Sequence, residues 1–235
     1  MSRRLYRIYP SILNDFYYYM IEKGAEDGKE PWVSEVELIN RINRVRSAPS
    51  EAMVKGIGFE NLIFDESIEL PEFISEEVDD STEIVMTQEH EGVKIEENVT
   101  VSVIRAARSL YLGGEQQVLV SSMMEFPDYD VELYGKIDVI KRATGVDIKF
   151  TSRPEYLKFK DSFQHPVYMR GMMAMFKING FFDYFVSDLK DWTMETYAYS
   201  DQMEERLREW VRRFVEFLEL RKEHITVTKI FGAKV

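Results

Sequence analysis

The spacing of apolar residues predicts helices in the first half of the chain and mainly strands in the second. Helical spacing, with an apolar residue every three or four positions, runs through residues 11–22, 34–46, 49–64 and 97–112. The last of these helices is expected to stop at a pair of glycines, which is a strong end signal. Residues 65–97, which join the last two helices, are expected to form a short helix and an irregular connection.

From residue 117 onward the pattern changes to short runs rich in β-branched and aromatic residues. It predicts three consecutive antiparallel strands, over residues 117–126, 130–141 and 145–152. A helix over 162–178, two strands over 181–187 and 193–199, and a long amphipathic helix over 201–223 follow. The 235 residues can bury one sizeable core, so we expect a single α/β domain over residues 1–235, with extra helices at both ends.

The net charge of −12 argues at first against a nucleic-acid enzyme, because phosphate binding requires positive potential. Its distribution removes much of this objection. Residues 65–97 hold 13 acidic residues and one basic residue, so the rest of the chain is balanced at 29 of each. Residues 136–160 hold seven basic and three acidic residues. The acidity therefore belongs to one connecting segment, and a locally basic region remains for other chemistry.

The chain contains no cysteine, which excludes disulfides, thiolate metal sites and iron–sulfur clusters. The N-terminus lacks the apolar stretch of a signal peptide, and no apolar run is long enough to span a bilayer. We therefore expect a cytoplasmic protein with no membrane partner.

The hairpin predicted over residues 134–150 carries the most specific chemistry. Alternate residues of a strand share a face. Those expected to face a core are Ile137, Val139, Val146, Ile148 and Phe150. Asp138, Asp147 and Lys149 then point the other way. If the turn sets Asp138 opposite Asp147 or Lys149, the three polar groups meet on one face, whereas a register shifted by one residue scatters them.

Two carboxylates beside a lysine suit the hydrolysis of a phosphodiester. Carboxylate oxygens are hard ligands for Mg²⁺ or Mn²⁺. Such an ion polarises the phosphate and helps to generate hydroxide. The lysine can neutralise charge that develops on the phosphate and can orient the attacking water. Asp138, Asp147 and Lys149 are therefore candidate catalytic residues.

The same hairpin resembles the second and third motifs of the PD-(D/E)XK nuclease superfamily. Gly135 and Asp138 match a GxxD motif, and Asp147 and Lys149 match a DxK motif. Both forms are typical of the RecB and lambda-exonuclease branch. Each motif alone has little specificity, so the resemblance depends on what surrounds it.

Two further motifs agree with that branch in type and order. Glu60, on a predicted helix, resembles the glutamate of the first motif, which supports the metal site. Gln164 and Tyr168 match the QxxxY motif that follows the DxK strand. The resemblance extends over roughly residues 10–200, and four motifs in the right order on the right predicted elements are far more specific than any one of them.

The resemblance implies a restriction-endonuclease-like core, with a mixed β-sheet of about five strands flanked by helices. The groups that it places around Mg²⁺ or Mn²⁺ are Asp138, Asp147, Glu60 and the backbone carbonyl of Ile148. Lys149 would be catalytic together with the three carboxylates. Gln164 and Tyr168 would position the site or the DNA.

The function that the resemblance implies is a metal-dependent DNA exonuclease, acting in phage or mobile-element recombination or repair. Linear duplex ends would be its substrate. A recombination or single-strand-annealing protein and a second copy of the chain are further candidate partners. Two alternatives stay open. One is a structure-specific or restriction-like endonuclease on the same fold. The other is a non-catalytic binding or assembly protein, with residues 65–97 as its partner surface.

The hairpin residues also have plain structural explanations. Asp138 and Asp147 are compatible with the solvated face of an antiparallel sheet, where Lys149 would form a weak surface ion pair. The Pro-Asp pair at 127–128 offers a rival first carboxylate. We favour Asp138, because the pair falls in a turn signal and Asp138 lies mid-strand.

The remaining candidates have similar alternatives. Glu60 could be an exposed helix residue, Gln164 a local cap and Tyr168 a core aromatic. Arg105 and Arg108, three residues apart on one predicted helix, are candidate phosphate contacts, although a solvated helix face is the commoner explanation of such a pair.

Overall fold

A computed structural model describes residues 3–23, 33–71, 82–153 and 155–232. Six helices form within these ranges: α1 (Pro10–Lys23), α2 (Glu35–Ile42), α3 (Glu51–Phe64), α4 (Val101–Tyr111), α5 (Gln164–Phe176) and α6 (Asp201–Leu220). The strands are β1 (Arg4–Ile8), β2 (Glu83–His90), β3 (Val93–Thr100), β4 (Glu115–Glu125), β5 (Tyr129–Lys141), β6 (Thr144–Phe150), β7 (Phe181–Ser187) and β8 (Trp192–Ala198). Short 3-10 turns follow α6.

Six of the strands form one mixed sheet, in the order β1-β5-β6-β7-β8 with β4 also paired to β5. β4, β5 and β6 are successively antiparallel, β6 and β7 are parallel, and β7 and β8 are antiparallel. The predicted α/β class and mixed sheet are thereby confirmed, and the five predicted strands correspond to β4 to β8. β1, which runs parallel to β5, was not predicted.

One edge of β5 is shared between two strands. β1 pairs with residues 129–133 of β5, and β6 pairs only with residues 139–141. β4 pairs with the opposite edge of β5 along most of its length. Residues 134–138 of β5 therefore lie in a gap between β1 and β6. This gap positions the candidate site, because Asp138 lies at its end.

Apolar clusters cover both faces of the sheet. One joins α1, α2, α5 and α6 to the sheet, and the other joins α3, α4 and the β2–β3 pair to it. The expected single core for the 134–150 hairpin is therefore wrong: Ile137 lies in the first cluster, whereas Val139, Val146 and Ile148 lie in the second. The alternation of faces along β5 breaks between Ile137 and Val139, at Asp138.

The expectation for the acidic segment is wrong over residues 83–97. β2 and β3 form an antiparallel hairpin, in which His90 pairs with Val93 across a two-residue turn. Both turn residues, Glu91 and Gly92, have positive φ (47° and 84°), as a type I′ turn requires. The hairpin buries Met86, Ile95 and Val99 against α3 and α4. Residues 72–81 of the acidic segment lie outside the described residues.

The pairing of β2 and β3 also moves the start of the fourth predicted helix. That helix was expected over residues 97–112, but residues 97–100 belong to β3, so α4 begins at Val101. Within the described part of the chain, no helix is both long and apolar enough to cross a bilayer.

Candidate active site

Asp138 lies where β5 and β6 separate. The two strands pair from Val139 opposite Val146 to the turn, and beyond that point the ladder stops. The backbone N–H of Ile148 instead donates to Oδ2 of Asp138 at 2.9 Å. The Asp138 carboxylate thus takes the place of a strand partner, and the backbone of β6 fixes it at the opening.

Asp147 is almost completely buried, with 3% of its surface exposed. The Lys149 ammonium lies 2.6 Å from its Oδ2, and the Gln164 side-chain amide donates to its Oδ1 at 3.2 Å. The contact at Oδ2 is an ion pair without the geometry of a directional hydrogen bond. Both oxygens of Asp147 therefore have a partner, one from its own strand and one from α5.

Glu60 reaches the site from α3, on the other side of the sheet from α5. Ser50 caps this helix by accepting a hydrogen bond from the backbone N–H of Met53 at 3.2 Å. The side-chain amide of Gln117, on β4, donates to Oε1 of Glu60 at 2.7 Å. Three strands (β4, β5 and β6) and two helices (α3 and α5) thus supply the polar groups of the site.

Asp138 and Glu60 lie in surroundings that disfavour their ionised forms. Burial, followed by the charges of Asp147 and Glu60, raises the pKa of Asp138 to about 7. Burial and the charge of Asp147 likewise raise the pKa of Glu60. Burial acts to lower the pKa of Lys149, but the charge of Asp147 and its neighbours outweighs this and raises the pKa. Lys149 and the exposed Lys136 are the cations that act on these three acids, so the acids are in excess and the site favours a further cation.

The QxxxY residues connect the motifs physically. Gln164 bonds to Asp147 as described, and Tyr168 packs against Gly135. A Cβ atom at residue 135 would lie 2.5 Å from Cε1 of Tyr168, so only glycine permits this contact. Burial, together with the charge of Asp147, raises the pKa of Tyr168, which keeps the phenol neutral. The glycine of GxxD and the tyrosine of QxxxY are thus two halves of one packing contact.

The structure brings most of the predicted site residues together. Those that converge are Asp138, Asp147, Lys149, Glu60, Gln164 and Tyr168. The rival Asp128 lies in the turn before β5, ten positions from Asp138, or about 30 Å along an extended strand. Sequence reasoning missed Gln117. Its backbone is distorted, with φ of 53°, at the point where β4 lies opposite Asp138, and nothing in the sequence signals this.

Arg108, a candidate phosphate contact, bonds to the end of a neighbouring helix. Its guanidinium donates to the backbone carbonyls of Leu62, Asp65 and Ile68 at 2.8–2.9 Å. These donors hold the C-terminal end of α3, which gives Arg108 a structural role, and its phosphate contact stays a prediction. The phosphate contact from Arg105 stays a prediction.

The donor set suits a divalent cation in its chemistry. The carboxylates of Asp138, Asp147 and Glu60 are hard oxygen ligands, and the backbone carbonyl of Ile148 would be a fourth. Their mutual repulsion, seen in the raised pKa of Asp138, favours a bound cation. Among the described residues, no three His, Asp or Glu side chains are already arranged around a common metal position. Lys149 and Gln164, which now contact Asp147, would have to share or release it.

Comparisons with known proteins leave the family open. No protein-family model and no curated protein matches the chain. Four chains of solved structures match it. One of them, a crystal structure of SSO0001, aligns with a TM-score of 0.36 and 14% identity over 48% of this chain. The alignment spans 55% of that structure's length, and a likeness of this size does not establish a common fold.

Proposed function

We propose that this protein hydrolyses phosphodiester bonds in DNA with the help of Mg²⁺ or Mn²⁺. The observation that carries the proposal is the convergence of Asp138, Asp147, Glu60 and Lys149 at the opening between β5 and β6. A structural ion pair requires one acid and one base. Three acids here face two lysines, Lys149 in contact with Asp147 and the exposed Lys136, which leaves an excess of acids that suits a metal ion able in turn to bind a phosphate.

The proposed roles of the residues are metal binding, contact with the phosphate and positioning of a ligand. Asp138, Asp147, Glu60 and the Ile148 carbonyl would hold the ion, which polarises the phosphate and activates water when bound. The Lys149 ammonium can donate to a phosphate oxygen and neutralise charge as it develops. Gln164 fixes the Asp147 carboxylate.

The finer assignment follows from the four motifs. We propose exonuclease action on linear duplex ends, in phage or mobile-element recombination or repair and in the cytoplasm. A recombination or single-strand-annealing protein and a second copy of the chain are proposed partners. A structure-specific or restriction-like endonuclease with the same site is the nearest alternative.

A non-catalytic protein that retains the fold is favoured by one observation. Both oxygens of Asp147 are already engaged, by Lys149 and Gln164, as in a purely structural ion pair. In that case the protein would bind DNA or a protein partner and would not require metal. Binding of Mn²⁺ separates the two proposals, because only the enzyme needs the carboxylates to accept a cation.

The test is digestion of end-labelled linear duplex DNA beside a covalently closed circle, with Mg²⁺ or Mn²⁺ and with or without chelator. Metal-dependent loss of the linear DNA alone supports an exonuclease, and cutting of the circle supports an endonuclease. Lys149→Ala should abolish cleavage, whereas Lys177→Ala, which removes an exposed lysine that contacts its own helix, should not. A folded protein that neither cuts DNA nor binds Mn²⁺ would overturn the proposal in favour of the non-catalytic one.

A further inference from the structure

A cleft of about 680 Å³ opens beside Gln164 and Tyr168. Its floor is residues 134–136 of β5, which pair with β4 along one edge and whose other edge lies open in the gap between β1 and β6. The start of α1 and the segment after α2 form one wall. The start of α3 and the tip of the β2–β3 hairpin form the other. The cleft therefore leads from the surface to the QxxxY residues that contact the site.

The lining of this cleft is basic, although the protein as a whole carries a charge of −12. Its cationic residues are Arg41, Arg44, Arg46 and Lys136, and Glu91 is the only acidic residue among the described ones that line it. Arg41 is neutralised by Asp15 at 2.5 Å. Arg44, Arg46 and Lys136 are exposed, so they can reach a ligand.

Two half-buried tyrosines lie on the same lining. The rings of Tyr9 and Tyr134 meet edge to face, with their centroids 6.1 Å apart. The guanidinium of Arg44 lies 5.8 Å from the centre of the Tyr9 ring and also donates to the Tyr134 hydroxyl at 3.2 Å. A positive groove with aromatic rings is the combination that binds single-stranded nucleic acid, since the cations contact phosphates and the rings contact bases.

The two walls approach each other closely at the mouth of the cleft. Arg46, on the segment after α2, lies 3.5 Å from Glu91 at the hairpin tip. The Arg46 side chain is 88% exposed, so this ion pair is weak and a phosphate can compete for the arginine. A single flexible strand can lie along the cleft by displacing this one exposed ion pair, whereas a duplex is too stiff to bend around it.

We propose that this cleft binds a single-stranded stretch of DNA and leads it to the site, with Arg44, Arg46 and Lys136 on its phosphates and Tyr9 and Tyr134 against its bases. The inference rests on the proposed function for its direction, because Gln164 both lines the cleft and donates a hydrogen bond to Asp147. A duplex end would enter only after its strands have separated. Release of Arg46 from Glu91 would accompany binding.

Binding is tested apart from cleavage, by fluorescence anisotropy with chelator present. The probes are a labelled single-stranded oligo(dT) of 12 nucleotides and a blunt duplex of the same length. We expect the wild type to bind the single strand more tightly, and Arg44→Ala/Arg46→Ala to bind it at least about tenfold more weakly in low salt. The matched control is Arg212→Ala/Arg213→Ala, which removes two arginines paired along α6, away from the cleft.

The salt dependence gives a second readout that a folding defect would not imitate. Each phosphate contact contributes roughly 0.7 to the slope of log affinity against log salt for a single strand, so the double variant should lose about 1.4. The inference would be overturned if the wild type bound the duplex more tightly than the single strand. It would also be overturned if the two double-arginine variants lost the same amount of affinity for the single strand. If the single strand binds as expected but no metal supports cleavage, the proposed hydrolysis fails and the binding cleft stands.

Discussion

Two partly buried carboxylates in this protein, Glu204 and Asp138, have neighbours of opposite charge. Arg170 donates to both carboxylate oxygens of Glu204, on α6, at 2.7 Å. Arg208 forms an ion pair with the same carboxylate at 3.4 Å, and the Tyr199 hydroxyl donates to it. Burial acts to raise the pKa of Glu204, but these partners outweigh it and lower the pKa. At the candidate site the balance is reversed, because Asp138 has two acidic neighbours and its pKa rises to about 7.

The difference separates a carboxylate whose charge the fold stabilises from one whose charge the fold does not stabilise. The partners of Glu204 stabilise its charge, so the cluster joins α5 and α6 with a net energetic gain. Asp138 sits beside Asp147 and Glu60 with too few cations, so the fold is less stable than it would be with a neutral residue there. The site lacks positive charge, and we propose that a bound metal ion, which in turn binds a phosphate, supplies it.

The largest expected effect is on cleavage. Asp138→Asn should lower the rate of metal-dependent DNA cleavage by about 100-fold or more, because the amide is a poor ligand for the ion and carries no charge. Glu204→Gln should leave the rate within about twofold, measured at a temperature where both variants are folded. Equal cleavage rates for the wild type and Asp138→Asn would contradict this prediction, since Asp138 would then have only a structural role, like Glu204.

The second effect is on stability, and here we expect the larger change from substitution of Glu204. Glu204→Ala leaves the Arg170 guanidinium, whose side chain is 21% exposed, without its carboxylate. We expect a loss of about 1–3 kcal/mol in unfolding free energy, discounted from a fully buried pair for solvent access. That corresponds to a fall in Tm of about 2–4 °C per kcal/mol. Thermal unfolding followed by circular dichroism measures it, and an unchanged Tm would contradict the structural role.

The third effect is a dependence of stability on pH that comes from Asp138. A folded-state pKa of about 7 for Asp138 means that the folded chain keeps a proton that the unfolded chain releases near its ordinary pKa. Stability should therefore fall as the pH rises from about 4 to about 7. Asp138→Asn removes this loss, so its Tm without metal should exceed that of the wild type at pH 8 and be close to it at pH 4.

The metal supplies the control for this pH effect. Mn²⁺ should raise the Tm of the wild type at pH 8, because a ligand that binds only the folded state stabilises it. It should raise the Tm of Asp138→Asn much less. A wild type whose Tm is unchanged by millimolar Mn²⁺ would count against the carboxylates as ligands.

The sequence predicted which candidate residues lie close together better than it predicted the frame that holds them. The motifs on β5, β6 and α5 lie close together in the chain, and their strand and helix patterns are strong, so Asp138, Asp147 and Gln164 could be assigned to one site. The gap in which Asp138 lies depends on β1, a five-residue strand whose partner on β5 is more than 120 positions away. Local patterns carry no information on a pairing of that separation.

The β2–β3 hairpin was missed for a different reason, since its signal is local. Its buried positions Met86, Ile95 and Val99 follow strand spacing, and a glycine occupies the second position of its turn. The many acidic residues on its exposed positions hid this pattern, because charge suggested an irregular connection. The lesson is that period-two spacing should outweigh charge when a glycine turn lies between two such runs.

The smallest expected effects concern α3, which brings Glu60 to the site and packs on this hairpin. It contains two glycines in different surroundings. A Cβ on Gly58 would lie 2.8 Å from Sδ of Met86 and 3.0 Å from Cβ of Gln88, whereas a Cβ on Gly56 would meet nothing within 4 Å. Both positions would gain helix propensity from alanine, by up to ~1 kcal/mol. Only Gly58 would also incur a clash, which in a packed site costs roughly 1–3 kcal/mol.

Gly56→Ala should therefore raise the midpoint of urea unfolding, and Gly58→Ala should lower it, with an unchanged slope in both cases. The readout that matters for the site is cleavage. Gly58→Ala pushes α3 away from the hairpin and moves Glu60 relative to Asp147, so it should reduce the cleavage rate even where the protein is fully folded. Gly56→Ala leaves the packing of α3 intact and should not. Equal stability changes in the two variants would mean that α3 does not rest on the hairpin as the structure has it, and the position of Glu60 would lose its support.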